Sequence, residues 1–300
     1  MLQIKKLSLC CCVMACILLP LDKSSLAFAE VGIPTIMDGL TNRIIDLHPS
    51  FADKVANVKD TNIDESILAS ITRHENYVYE QAKQWQKDVK PKMDNIQNQV
   101  FSYNANFQNT YNNIQKQIQV KNKNQILQLL DDLQSNIDYQ KQDITEFLSI
   151  LRDFKKNVAI NSGQLQTGCT QIQATMDGYR TTLDALYDQL YATTSASVRK
   201  QLENQTYDIS VKLYDKLEPL YNQINTTIFT LNGVNDGILN IGWLVSLEDI
   251  HTNWTTLESK LAYLIQNIKD TSDIDWAFIT EDMYVIQTDW NEIYNKTTQL

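Results

Sequence analysis

The chain reads as an all-α protein, and three observations predict it. Gly and Pro are scarce in 300 residues, 8 and 5 respectively, too few for a loop-rich or all-β architecture. Apolar side chains make up 43% of the chain, enough for a sizeable core. Those side chains recur every three or four residues over runs of fifty residues and more, the spacing of one helix face. The pattern predicts an elongated antiparallel bundle of about five helices, several of them very long.

The first element is a targeting segment. Lys5 and Lys6 precede an apolar run over residues 7–21, and Ala27-Phe28-Ala29 has the small-residue form of a cleavage site. The domain division is therefore a signal peptide over 1–29 and one helical domain over 30–300, with secretion as the destination. The residues leave a second reading open. Val13-Met14-Ala15-Cys16 resembles a lipobox, with Cys16 as the lipidated residue and a bacterial surface anchor as the outcome. Loss of residues 1–29 removes Lys5, Lys6, Lys23 and Asp22, which takes the formal charge from −10 to −12. An acidic exported chain is unsuited to binding nucleic acid through its phosphates. Cys10, Cys11, Cys12 and Cys16 lie in the leader, so Cys169 is the single thiol of the mature chain and no internal disulfide forms.

A short helix is expected over about 35–47, ending before the His48-Pro49 turn. The next stripe runs from Ile67 to Ile118 through Ile71, His74, Val78, Trp85, Val89 and Phe107, covering 51 residues in fourteen steps of about 3.64. Asn62 with Glu65 is its expected start signal, and Pro91 is expected to kink it. Then Ile126, Leu130, Leu133, Ile137, Gln140, Ile144, Phe147, Leu151, Phe154 and Val158 alternate steps of four and three, and the pattern resumes from Leu165 to Leu190. A continuous helix over 126–190 would measure about 97 Å at ~1.5 Å per residue. Gly163, Gly168 and Gly178 make its middle the place for a bend or break. A third stripe runs from Leu202 to Leu231 and gives way to a glycine-containing stretch with Gly233, Gly237 and Gly242. It resumes from Leu247 through Trp254 to Ile268. The last helix carries Trp276, Ile279, Met283, Ile286, Trp290 and Ile293, behind a capping box of Ser272 and Asp275. Connections near 119–123, 193–198 and 269–273 are short, so consecutive long helices are antiparallel neighbours. The positions expected to form the core and assembly stripe are Leu130, Ile137, Phe147, Leu151, Phe154, Trp254 and Trp290.

No catalytic or metal constellation accompanies these stripes. His48, His74 and His251 are scattered, and the zinc, nucleophile and phosphate-loop patterns are missing from the sequence. His74 and Cys169 sit on stripes and read as core groups. Asp131-Asp132 and Glu281-Asp282 read as solvated polar faces. Trp243 stands apart, in a stretch that reads as a joint or a docking surface. The sequence thus points to a non-enzymatic protein that needs no cofactor.

Several local patterns carry a family resemblance. They are Trp85-Gln86-Lys87-Asp88-Val89-Lys90-Pro91, then Tyr103-Asn104-Ala105-Asn106-Phe107-Gln108-Asn109-Thr110-Tyr111, then Leu151-Arg152-Asp153-Phe154-Lys155-Lys156. Phe278-Ile279-Thr280-Glu281-Asp282 with Asp289-Trp290 adds a fourth near the end. In order and spacing they resemble the haemolysin BL and non-haemolytic enterotoxin family of bacilli, within the cytolysin-A-like α-helical pore-forming toxins. The resemblance implies a helical tail bundle and a small head between the two longest hairpins. It also implies homologous toxin subunits as partners and a host cell membrane reached through the assembled complex. In membrane-inserting members the head carries an apolar segment forming a β-tongue. Residues 180–235 depart from this, being polar-patterned and helical, as in Thr193-Thr194-Ser195-Ala196-Ser197. A reduced or absent β-tongue head, or a joint, is therefore expected within 180–245. That departure points to a soluble partner subunit of a multi-component toxin. The alternative is a non-toxic helical structural or adhesive protein, secreted or lipid-anchored.

Overall fold

The computed structural model describes residues 33–235 and 243–298. The leader with Cys16, together with Gly237 and Gly242, lies outside the described residues, as does the side chain of Trp243. Every regular element among the described residues is helical.

The chain opens with α1 (Ile33–Leu47), a 3₁₀ turn (His48–Ser50) and α2 (Phe51–Asn57). The α2 helix was not apparent in the sequence. The next rod is α3 (Glu65–Gln84), a π-helical turn (Trp85–Val89) and α4 (Lys90–Gln119). Its cap is Asp64, whose carboxylate accepts from the Ser66 N–H at 2.7 Å. Asn62 has φ 59° and forms the turn before it, so the start signal lies two residues further on than the expected one. Pro91 falls in the first turn after the π-helical segment. Its missing N–H is absorbed by the π turn just upstream. Lys121, at φ 55°, reverses the chain, and the Asn122 side chain accepts from the Gln125 N–H at 3.2 Å to open α5.

The α5 helix (Lys123–Ala192) is the spine, 70 residues without interruption and about 105 Å at ~1.5 Å per residue. The three glycines do not break it. Each costs about 1 kcal/mol of helix propensity, which burial on the stripe outweighs. Gly168 also serves the packing. A Cβ there would lie 2.4 Å from Ile71 Cγ1, so its absence lets α3 approach α5.

The return rod is α6 (Ala196–Ser210), a second π turn (Val211–Leu217) and α7 (Glu218–Asn232), again with a proline, Pro219, just after the π turn. The chain finishes with α8 (Trp243–Asp270) and α9 (Trp276–Thr298). The cap of α9 is Asp275 alone, accepting from the Ala277 and Phe278 N–H groups at 3.0 and 3.3 Å.

Along α5 the molecule has three regions. In the tail, the first half of α5 packs with α4 and α8, and α9 closes the bundle against α4 and α8. In the middle, α5 packs with α3 and α7, and α1 and α2 close the bundle against α3 and α7. Beyond that, α5 and α6 continue as a two-helix hairpin. Leu130, Ile137, Phe147, Leu151 and Phe154 line one buried face of α5, with Trp254 and Trp290 opposite in the tail. On α3 the buried face runs Ile71, Glu75, Val78, Ala82, passing through Glu75 where the periodicity had suggested His74.

Candidate functional site: the hairpin tip and the rod that carries it

The tail supplies rigidity. Trp290 stacks on Phe107 at 4.6 Å and meets Trp254 edge-on at 5.7 Å. Its indole N–H donates to Asn104 Oδ1 at 2.8 Å. Tyr103 stands edge-on to the same ring at 5.4 Å, and burial pushes its hydroxyl up to about 12. Such aromatic clusters add about 0.5–1.5 kcal/mol per pair beyond the area they bury.

The middle is laced with polar groups. Asn161 on α5 accepts from His74 Nδ1 at 2.8 Å and donates to Gln81 Oε1 at 3.2 Å. Ser162 donates to Asn232 Oδ1 at 2.7 Å, and the Cys169 thiol donates to Asn225 Oδ1 at 3.3 Å. Burial pushes the Cys169 thiol up to about 11, which makes it an inert core group at neutral pH. Asp38 on α1 accepts from the Trp85 indole at 3.1 Å and pairs with Lys90, fastening α1 across the first π turn. Two open grooves flank α3. One, about 740 Å³, lies along α2 and α3 between Val55 and Tyr77, and the other, about 560 Å³, lies between α3 and α5 beside His74 and Asn161.

The hairpin begins where these layers end. Lys216 in the second π turn donates to Asp60 Oδ2 at 2.7 Å, a pair that marks its base. Tyr179, Leu183 and Leu186 of α5 meet Leu202 and Thr206 of α6, and beyond Leu186 and Leu202 no residue of the hairpin is buried. The tip is Thr193-Thr194-Ser195, closed by Arg199 Nη2 donating to the Thr193 carbonyl at 3.0 Å. Asp184, Asp188, Lys200 and Glu203 are exposed around it, and Tyr191 is 87% exposed. The tip is thus a hydroxyl-rich link between two helix ends with charged flanks, where the family resemblance places a head. Among the described residues no helix is long and apolar enough to cross a membrane. Among them, too, no group of three or more His, Cys, Asp or Glu could hold a metal ion.

A helical bundle built round one long spine matches the fold of a solved α-pore-forming toxin component. The family model of the Bacillus haemolytic enterotoxin (HBL) matches residues 37–201, and the chain belongs to that family. No curated protein sequence matches it. Among solved structures, the soluble AhlC of the tripartite α-pore-forming toxin of Aeromonas hydrophila is similar at 12% identity and TM-score 0.56, over 85% of this chain and 97% of that one. The HblL1 toxin component of Bacillus cereus is similar at 15% identity and TM-score 0.46, over 88% and 94% of the two chains. The SmhB pore of the tripartite toxin of Serratia marcescens is similar at 12% identity and TM-score 0.49, over 90% and 100%. At 12% identity the likeness to AhlC is one of fold.

Proposed function

We propose that this chain is a soluble partner subunit of a secreted multi-component α-helical pore-forming toxin, and that it acts without catalysis. Family membership supports the toxin reading. One observation carries the partner role: the free end of the rod, at residues 187–201, is a polar turn ringed by Asp188, Arg199 and Lys200. Placing ionised side chains in hydrocarbon costs about 2.5–3.5 kcal/mol each even on permissive scales, so this end is suited to water and protein partners. The working surfaces are then helix faces that dock homologous subunits, and the host membrane is reached through the complex.

Residues 1–29 serve as the export signal in this reading, and the rest forms one elongated unit with its head reduced to the hairpin. Mass spectrometry of the secreted protein is expected to find Glu30 at the N-terminus. A lipid on Cys16 would favour the surface-anchored alternative. The functional test is dye release from erythrocyte ghosts. The chain alone is expected to release nothing. Mixed with homologous components that carry an apolar head, it is expected to accelerate release. Rapid release by this chain alone would overturn the partner assignment.

A further inference from the structure

The α1–α2 arm meets the rod at one buried ionisable pair. His48, in the 3₁₀ corner, places Nδ1 2.9 Å from Glu75 Oε2 and 3.1 Å from Oε1 on α3. The Glu75 side chain is only 4% exposed and that of His48 27%. The imidazole stacks flat on Tyr79 at 3.8 Å. Gln223 of α7 completes the corner, donating to the Leu47 carbonyl at 2.7 Å and accepting from Lys54 and Ser50.

Almost no other charge acts there. Residues 157–176 of α5 carry no ionisable side chain except Cys169, and residues 219–232 of α7 none except Tyr221. On the arm, Lys54 is engaged with Ser50 and Gln223, while Asp46 and Asp53 lie outside the pair's hydrogen bonds. On α3, Lys83 sits over the Tyr79 ring and pairs with Glu80. Each member of the pair therefore depends on the other.

We propose that one proton held between His48 and Glu75 sets the grip of residues 33–57 on the rod, so that the arm tightens as the solution is acidified and loosens as it turns alkaline. When the imidazole is neutral, a Glu75 carboxylate would be buried against a neutral donor, which is costly for a side chain only 4% exposed. When the pair keeps one proton, either as imidazolium and carboxylate or as imidazole and carboxylic acid, the pair is neutral overall and hydrogen-bonded. The direction of the Glu75 shift agrees. Burial raises its carboxyl above the ordinary value, and the His48 contact offsets this only in part. A carboxyl raised in the folded state binds more protons there than in the open state. Docking is then favoured below the raised value and weakens as pH rises through it.

Native-state hydrogen exchange on the full chain tests this, with rates corrected for intrinsic pH dependence. Protection of residues 33–57 is expected to fall by roughly tenfold between pH 5.5 and 8.5, with no such change in α8 and α9. Glu75→Gln, a neutral isostere, is expected to keep the arm protected and make that protection independent of pH. An unchanged pH dependence in Glu75→Gln would overturn the proposal. So would equal loss of protection in arm and tail.

Discussion

In the tail, the bundle interior is filled by Phe147 of α5 and by Phe107, Trp254 and Trp290 of the helices around it. Further along, α5 meets its neighbours through Asn161, Ser162 and Cys169. Of the twelve buried polar or charged side chains among the described residues, only Gln140 and Thr297 lie in the tail and Thr206 in the hairpin. The rest are in the middle. An apolar, aromatic interior tolerates few alternatives because its fit is one of shape. A hydrogen-bonded interior keeps one register while its partners are present and loses most of its hold when one is removed. The contrast suggests a fixed tail and a middle whose hold can be released one hydrogen bond at a time.

Five variants would break or sharpen this contrast. Trp290→Ala removes the centre of the tail cluster and its bond to Asn104, and should cost about 3–5 kcal/mol, read as a fall in the denaturation midpoint. Gly168→Ala forces a Cβ onto Ile71 and should cost about 2 kcal/mol by the same measurement. The double variant Gly168→Ala/Ile71→Ala should be less destabilised than the two single effects summed, because the clash is gone. Asn161→Ala strands His74 and Gln81 and should cost about 1–2 kcal/mol. Its hydrogen-exchange protection should fall in α3 and not in α9. Tyr191→Ser, at the bare tip, should change stability by less than about 0.5 kcal/mol. Equal losses for Trp290→Ala and Asn161→Ala in both regions would erase the distinction between tail and middle.

The long stripes were legible because a face sustained over many turns survives local defects. The steps from Ile126 to Val158 mark buried positions of α5 one after another. Three features were harder to read. The glycines of α5 suggested a break, since propensity alone cannot show that Gly168 faces Ile71. Pro91 suggested an irregularity, but not its form: a π turn just upstream, whose Trp85 donates to Asp38 of another helix. Glu75 went unnoticed because a carboxylate on an apolar face looks like an interruption, although Ile71, Glu75, Val78 and Ala82 keep the spacing. Its partner His48 is 27 residues away, across a corner that no periodicity describes. The polar tip was legible from composition alone. That it stands clear of every other helix is a matter of where the neighbouring layers stop.

The uninterrupted spine has a consequence in time. The α3–α4 rod and the α6–α7 rod flank α5 directly in sequence, so α4 and α6 can fold back on α5 as hairpins before the rest of the bundle exists. The middle waits for α7 and the arm, as Gln223 does in holding the Leu47 carbonyl, 176 positions earlier, and the tail waits for α8, as Glu258 does in pairing with Lys141, 117 positions earlier. Until the last two helices are made, the tail stretch of α5 has α4 beside it and water where α8 will pack. The sturdiest part of the finished molecule is then the last to form.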